Sequence, residues 1–419
     1  MATPPKSSRE AHVLPEAWFS VVCFRAMLGI WITLVVLMCL RAAIWPKRNS
    51  LYPTFADTGQ CWLHSADLYD THFWTVGVDQ YRYAPLVTVF FVPFSVLPDA
   101  AGGVLWRLVN MAAFFGGVIT YCCSVYPGRN RVGSLGAALI GFVLIPLSLP
   151  SLNNGQANPL VIGCLLLGLV AAYQGRWNWA ALALAVPIFF KLYPVALAML
   201  LLLVYPRQLG WRLVVFLVAG TLLPFATQDW SYASRQYAQW FDKLVQEDRS
   251  TRVFADSYRD FWLLVRVAHV PLSHEVYRML QFAMGAGLAV VILVGRMRRW
   301  PAYSLLHSLL GLACCWMLLF GPATENCTYI LMAPTAGLAV WEAFVQRRPI
   351  WTRAMLLGIV GIFVGNAIIT ALPNGRHWAY ALNPLAALLL FCERLLSLWA
   401  VDQCRPATNQ VPSAAAKAA

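Results

Sequence analysis

An ionisable side chain stands inside an apolar run at Lys191, between Val186-Pro187-Ile188-Phe189-Phe190 and Leu192-Tyr193-Pro194-Val195. A charge in such a run costs roughly 2.5–3.5 kcal/mol on insertion scales and points by default to function. Snorkelling from a helix end would explain that cost but not the position, so Lys191 is read as an anion contact. Arg82 lies in Tyr81-Arg82-Tyr83-Ala84-Pro85-Leu86. Its planar fork suits a phosphate, while its tyrosine flanks suit an interfacial anchor. Asp57, in Thr54-Phe55-Ala56-Asp57-Thr58-Gly59-Gln60, follows the first apolar run. Held in a partly dry cavity, its carboxylate would accept a proton from a hydroxyl nucleophile. As a lone residue, it is more plainly a helix cap or a solvated loop residue. Asn154-Gly155-Gln156-Ala157-Asn158-Pro159 collects three amides, which cap helices and also hydrogen-bond sugars. Asp256, Glu325-Asn326 and His377 lie in further polar stretches and read first as ordinary loop residues.

Other chemistries lack their residues. The chain has no HExxH, no DxD and no Cys/His cluster with metal-ligand spacing, so no metal or cofactor is expected. A GxxxxGK[ST] phosphate loop is also missing, which argues against a nucleotide-driven pump. The 11 cysteines form no CxxC motif, and Cys122-Cys123 and Cys314-Cys315 sit in apolar runs as small packing residues.

The elements that must position these residues are membrane helices. Of 419 residues, 60% are hydrophobic and only 12% charged, against about 25% charged in soluble domains. The net charge of +13 would suggest nucleic acid in a soluble protein. Here many basic residues cluster between apolar runs, at Arg129/Arg131, Arg207/Arg212, Arg296/Arg298/Arg299 and Arg347/Arg348. That is the pattern of cytoplasmic loops, so no nucleic-acid partner is expected and membrane lipids are. The predicted fold is all-α and polytopic, with about twelve crossings plus one partial or juxtamembrane helix.

The expected crossings begin with a retained first span within Trp18–Ile44, followed by Val104–Val125, Leu135–Leu149, Leu160–Tyr173, Ala180–Phe190 and Pro194–Val204. Trp211–Ala226, Val276–Leu293, Tyr303–Phe320, Tyr329–Phe344, Met355–Thr370 and Leu382–Leu398 complete them. Ala180–Phe190 and Pro194–Val204 are short enough to be broken. The Pro-rich stretch Tyr83–Leu97 is the partial helix, and Thr227–Asp260 is a long loop. Residues 1–17 form a cytoplasmic N-terminal segment, 18–402 the membrane domain and 403–419 a disordered tail. Both termini are then cytoplasmic. Loops rich in Asp, Asn, Gln, His and Trp fall mostly on the outer face, where the chemistry is expected.

On these residues the sequence resembles glycosyltransferase family 87, of the GT-C membrane superfamily, from about Phe19 to Leu390. The landmarks come in order: Asp57, Ala66-Asp67-Leu68-Tyr69-Asp70, Tyr81 to Leu86, Asn154 to Asn158, Lys191-Leu192-Tyr193-Pro194, and Gly321-Pro322 to Pro334. The resemblance implies inverting transfer of a sugar, often mannose, from a polyprenyl-phosphate donor to a hydroxyl of a lipid or glycan acceptor. Asp57 then matches the general base and Lys191 the lysine at the lipid phosphate. Arg82, Tyr83, Asn154, Gln156, Asn158, Asp256, Glu325, Asn326 and His377 are the expected substrate contacts. The chain departs from the family at Ala84-Pro85, where Pro-Pro is usual, and at Asp256-Ser257-Tyr258, where the family has Asn-Gln-Ser. It departs again at Ala323 to Tyr329, where an aromatic-plus-histidine segment is replaced. The rival expectation is a transporter or flippase for a lipid-linked sugar or other anion, which would use the same cations without a base.

Overall fold

In hydrocarbon a backbone N–H or C=O finds no water, so a chain this apolar must satisfy those groups within its own helices. The computed structural model describes residues 13–69, 81–125, 132–246, 253–254, 256–371 and 377–403, with side chains at 13–17, 370–371, 377–378 and 399–403 outside the description. Asp70, Asp79, Arg129, Arg131 and residues 404–419 lie outside the described residues. Those described form α-helices, two 3-10 segments and connecting turns, with no strand.

The helices are α1 (Val13–Ile44), α2 (Tyr52–Leu63), α3 (Pro85–Ser95), α4 (Asp99–Val125), α5 (Ser134–Asn154), α6 (Asn158–Tyr173), α7 (Trp177–Phe190) and α8 (Val195–Val204). There follow α9 (Pro206–Thr227), α10 (Trp230–Gln246), α11 (Phe261–Val267), α12 (His274–Met297), α13 (Ala302–Leu319), α14 (Ala333–Val345), α15 (Ile350–Ala371) and α16 (Leu382–Gln403). The 3-10 segments are Asn326–Met332, leading into α14, and His377–Ala381, leading into α16.

Among the described residues 9 helices are long and apolar enough to cross a membrane. Three of the expected crossings fall short of that length: α6, α7 and α8 have 16, 14 and 10 residues. At 1.5 Å per residue they span about 24, 21 and 15 Å, against about 30 Å of hydrocarbon. α7 and α8 form a hairpin. Trp177, at the start of α7, packs against Tyr205, just after α8, with ring centroids 4.9 Å apart. The turn between them, at Lys191, therefore stands less than a full crossing away from that end. The expected partial helix is α3, which begins on Pro85 and carries Pro93 inside it.

Two close approaches set the bundle's centre. Gly117 of α4 meets Gly163 of α6, where a Cβ on Gly117 would lie 2.6 Å from the Gly163 carbonyl oxygen. Small residues let membrane helices approach this closely. At the end of α5, Gly155 adopts φ +67, a conformation glycine reaches without a Cβ penalty. α4 holds this bend from the side. Trp106 Nε1 donates to Gly155 O at 2.7 Å, and the buried Arg107 donates to Asn153 O at 2.8 Å and to Ser50 Oγ at 3.2 Å. Leu51 N donates to Asn154 O at 2.8 Å and so fixes the start of α2 to the same bend.

The bundle has two chemically distinct ends. The turns carrying Arg82, Gln156, Lys191 and Glu325 meet at one end. At the other, Arg212 Nε donates to Asn178 Oδ1 at 2.7 Å, Arg296 donates to Leu203 O, and Arg348 meets Glu393 at 3.3 Å.

Candidate functional site

Pro187 and Pro194 bracket the α7–α8 turn. A proline disfavours helical backbone in the residue before it and removes a donor. Lys191 takes an extended conformation (φ −152, ψ 142), and its N–H returns to Pro187 O at 2.9 Å. Its ammonium lies 5.7 Å from the Tyr193 ring centroid, within cation–π range.

From Tyr193 a continuous polar chain crosses the site. Tyr193 OH donates to Asn158 Oδ1 at 3.2 Å. Asn158, wholly buried, donates to Gln156 Oε1 at 2.8 Å and to Cys327 O at 3.0 Å. Gln156 Nε2 donates to Glu325 Oε2 at 3.4 Å, and Glu325 Oε1 stands 3.7 Å from Arg82 Nη1. Glu325 also opens the Asn326–Met332 segment in a reciprocal cap with Thr328, an arrangement that fixes its backbone.

These groups converge on a cavity of about 230 Å³. Arg82, Lys191, Gln156, Tyr83 and Glu325 line it, with Leu51, Phe189 and Trp240 among its apolar walls. Glu325 is the only carboxylate among the described lining residues. Two cations and one carboxylate leave a net positive site suited to an anion in low dielectric. An apolar groove of about 390 Å³ leads away between α8 and α12, lined by Met199, Phe282, Gly285 and Trp316. It shares Leu192, Tyr193 and Pro322 with the cation cavity.

Arg82, Tyr83, Gln156, Lys191 and Glu325 are thus brought together. Asn158 is one step behind the lining, where it orients Gln156 and Tyr193. Asn154 ends α5, with its amide 3.9 Å from Cys327 Sγ. Asn326 lines a separate space of about 130 Å³ with Asn366 and Asn383. Asp256 is exposed and outside the lining of the cation cavity. His377 begins a 3-10 segment, and its side chain lies outside the described residues.

Asp57 is an exposed position on a helix whose other residues are mostly buried. It does not line the cation cavity; the first loop contributes Leu51 there instead. The desolvation it does experience pushes the Asp57 carboxyl up, as does Asp99, against Lys47. Lys47 itself meets Asp99 at 3.5 Å.

Sequence reasoning missed α10, which lies within the expected loop Thr227–Asp260. α10 clamps the first loop: Tyr232 OH donates to Ala66 O at 2.6 Å, Gln236 Oε1 accepts from Leu68 N at 2.9 Å, and Gln239 Nε2 donates to Asp67 Oδ2 at 2.5 Å. Trp240 Nε1 donates to Arg82 O at 3.2 Å, which fixes the backbone that presents the guanidinium. The signal was available: Tyr232, Gln236, Gln239 and Trp240 recur at three and four residues, the spacing of one helix face.

A family model described as Glycosyltransferase family 87 matches residues 81–322. That range holds Arg82, Gln156 and Lys191, and leaves Asp57 and Glu325 outside. Over 143 residues the chain is 32% identical to a protein of Mycobacterium tuberculosis (strain CDC 1551 / Oshkosh), named polyprenol-phosphate-mannose-dependent alpha-(1-2)-phosphatidylinositol pentamannoside mannosyltransferase. The aligned stretch is 33% of this chain and 32% of that relative.

Proposed function

Since the chain belongs to glycosyltransferase family 87, we propose that it transfers mannose from a polyprenyl-phosphate donor to a hydroxyl of a lipid-linked glycan, with inversion, on the extracytoplasmic side of the membrane. The observation that carries this reading is the convergence of Lys191 and Arg82, remote in sequence, on one cavity that continues into an apolar groove. A polyprenyl phosphate has that shape: an anionic head on a long apolar chain. The concentration of Arg207, Arg212, Arg296 and Arg348 at the opposite end supports the orientation, because cytoplasmic loops are rich in such residues.

The chemistry is a single displacement. The acceptor oxygen bonds to the anomeric carbon as that carbon's bond to the phosphate oxygen breaks. The electron pair leaves with the polyprenyl phosphate, whose growing charge Lys191 and Arg82 offset. Gln156, held by Asn158, orients the donor's hydroxyls. The hydroxyl proton passes to a carboxylate, and the reading favours Glu325 over Asp57 because Glu325 lines the cavity. Binding of the donor phosphate competes for Arg82 and frees Glu325 for that step.

The test incubates the purified protein in lipid nanodiscs with polyprenyl-phosphate mannose and phosphatidylinositol mannosides of graded length. Mass spectrometry reads the product, and NMR reads its linkage and anomeric configuration. The expected product carries one added mannose of inverted configuration. The Lys191→Ala variant should lose about 100-fold or more in kcat/KM, the scale of removing one charge-stabilising group. Turnover of Lys191→Ala at the wild-type rate, or no product from any acceptor, would overturn the reading.

A further inference from the structure

Beside the cation cavity lies a second cavity, of about 460 Å³, formed by α11, the first turns of α12 and the Gly321–Ala323 turn. The two cavities share Leu244, Pro322 and Ala323. Their walls differ in kind. The second is built on an aromatic cluster in which Trp262 packs against His274 and Tyr277, with centroids 4.3 and 5.2 Å apart. Asp260, Tyr258 and Arg278 add polar groups. Asp260 is held in place as the N-cap of α11, where its Oδ1 accepts from Leu263 N at 3.1 Å.

This combination selects a ligand class. An aromatic face offers a large apolar contact to the C–H face of a sugar ring, while a carboxylate and a phenol bond its hydroxyls. A lipid tail would leave the Arg278 guanidinium, which lines the same space, facing hydrocarbon, at the cost of a poorly solvated charge. A bare phosphate would meet the Asp260 carboxylate.

We propose that this cavity is the acceptor subsite and takes a neutral glycan, with one ring against Trp262 and its hydroxyls bonded to Asp260. The next hydroxyl along the glycan then reaches across Pro322 and Ala323 into the cation cavity, where Glu325 follows two residues on. Side-by-side compartments bring two substrates together without a collision in solution. Glycan binding stands on this cavity alone; the role as acceptor rests on the transfer reading above.

The probe is methyl α-mannobioside, with methyl β-cellobioside in parallel, titrated by saturation-transfer NMR against the purified full chain in nanodiscs. The wild type should bind at least one of the two saturably. Trp262→Ala should weaken that binding tenfold or more. Asp260→Asn keeps an N-cap side chain and should weaken it severalfold, as should His274→Ala, which truncates an exposed ring. No saturable binding by the wild type would overturn the proposal, as would wild-type affinity in all three variants. Transfer assays separate the two readings. If no donor yields product while glycan binding still depends on Trp262, the transfer reading falls and the glycan subsite stands. If transfer proceeds and Trp262→Ala leaves the acceptor KM unchanged, the subsite falls and the transfer reading stands.

Discussion

Glu325 Oε1 stands 3.7 Å from Arg82, and each side chain is about a third exposed, at 34% and 30%. An ion pair that open contributes little to stability, so its interest is chemical. Asp57 sits elsewhere, on the exposed face of α2 near Asp99 and Lys47. The two carboxylates therefore make opposite predictions. Glu325→Gln should lower kcat by about 100-fold or more, the scale of losing a general base, while Asp57→Asn should stay within a few fold of wild type. Steady-state kinetics with saturating donor decide the matter, and the reverse pattern would return the base to Asp57. Lys191 was legible from its position alone, because one charge in an apolar run has few explanations. Nothing local distinguishes the two carboxylates, since both lie in polar stretches after apolar helices.

The helices were largely legible in their apolar runs, and their breaks carry the site. Lys191 is presented because α7 and α8 stop on either side of it. Gln156 is presented because α5 ends in the left-handed Gly155. An alanine there would carry a Cβ into strained backbone, 3.4 Å from the Arg107 guanidinium. Gly155→Ala should cost about 1–3 kcal/mol, measured as a lowered midpoint in thermal unfolding, and should reduce transfer by misplacing Gln156. Asp260, at the start of α11, makes a pH prediction. Burial pushes its carboxyl up to about 7, against the Leu263 and Trp262 N–H groups and Arg266. Tyr277 and Tyr329 lie near it, and His274 lines the same cavity. A carboxyl that titrates higher folded than unfolded binds more protons in the folded state, so stability falls as pH rises from about 4 to about 7 and levels off above. Thermal midpoints measured from pH 5 to pH 8 should fall in the wild type and flatten in Asp260→Asn.

Away from the site, the bundle is tied together by charge. Arg394 on α16 meets Glu342 of α14 at 3.2 Å and Glu393 at 2.6 Å, while His307 of α13 reaches Glu342 at 3.3 Å and Arg348 reaches Glu393 at 3.3 Å. Glu393 and Arg394 are 3% and 4% exposed, so removing one partner leaves a buried charge uncompensated. Arg394→Met should cost about 3–5 kcal/mol, whereas replacing Glu342 and Arg394 together by apolar residues of similar size, which leaves Glu393 with Arg348, should recover part of that loss. Midpoints for the single and double variants test this; equal losses would show that the pair does not act as a unit. By itself the sequence determined the solvent and the helical class, and it singled out Lys191 and Arg82, because hydrophobicity, helix breaks and isolated charges are local properties. Tertiary structure decided that α7 and α8 pack as a hairpin with Lys191 at its turn, that α10 holds the first loop and Arg82, and that Glu325, not Asp57, shares the cavity with the cations. Those outcomes depend on how remote helix ends pack against one another, and no window of sequence encodes the distance between two turns on different helices.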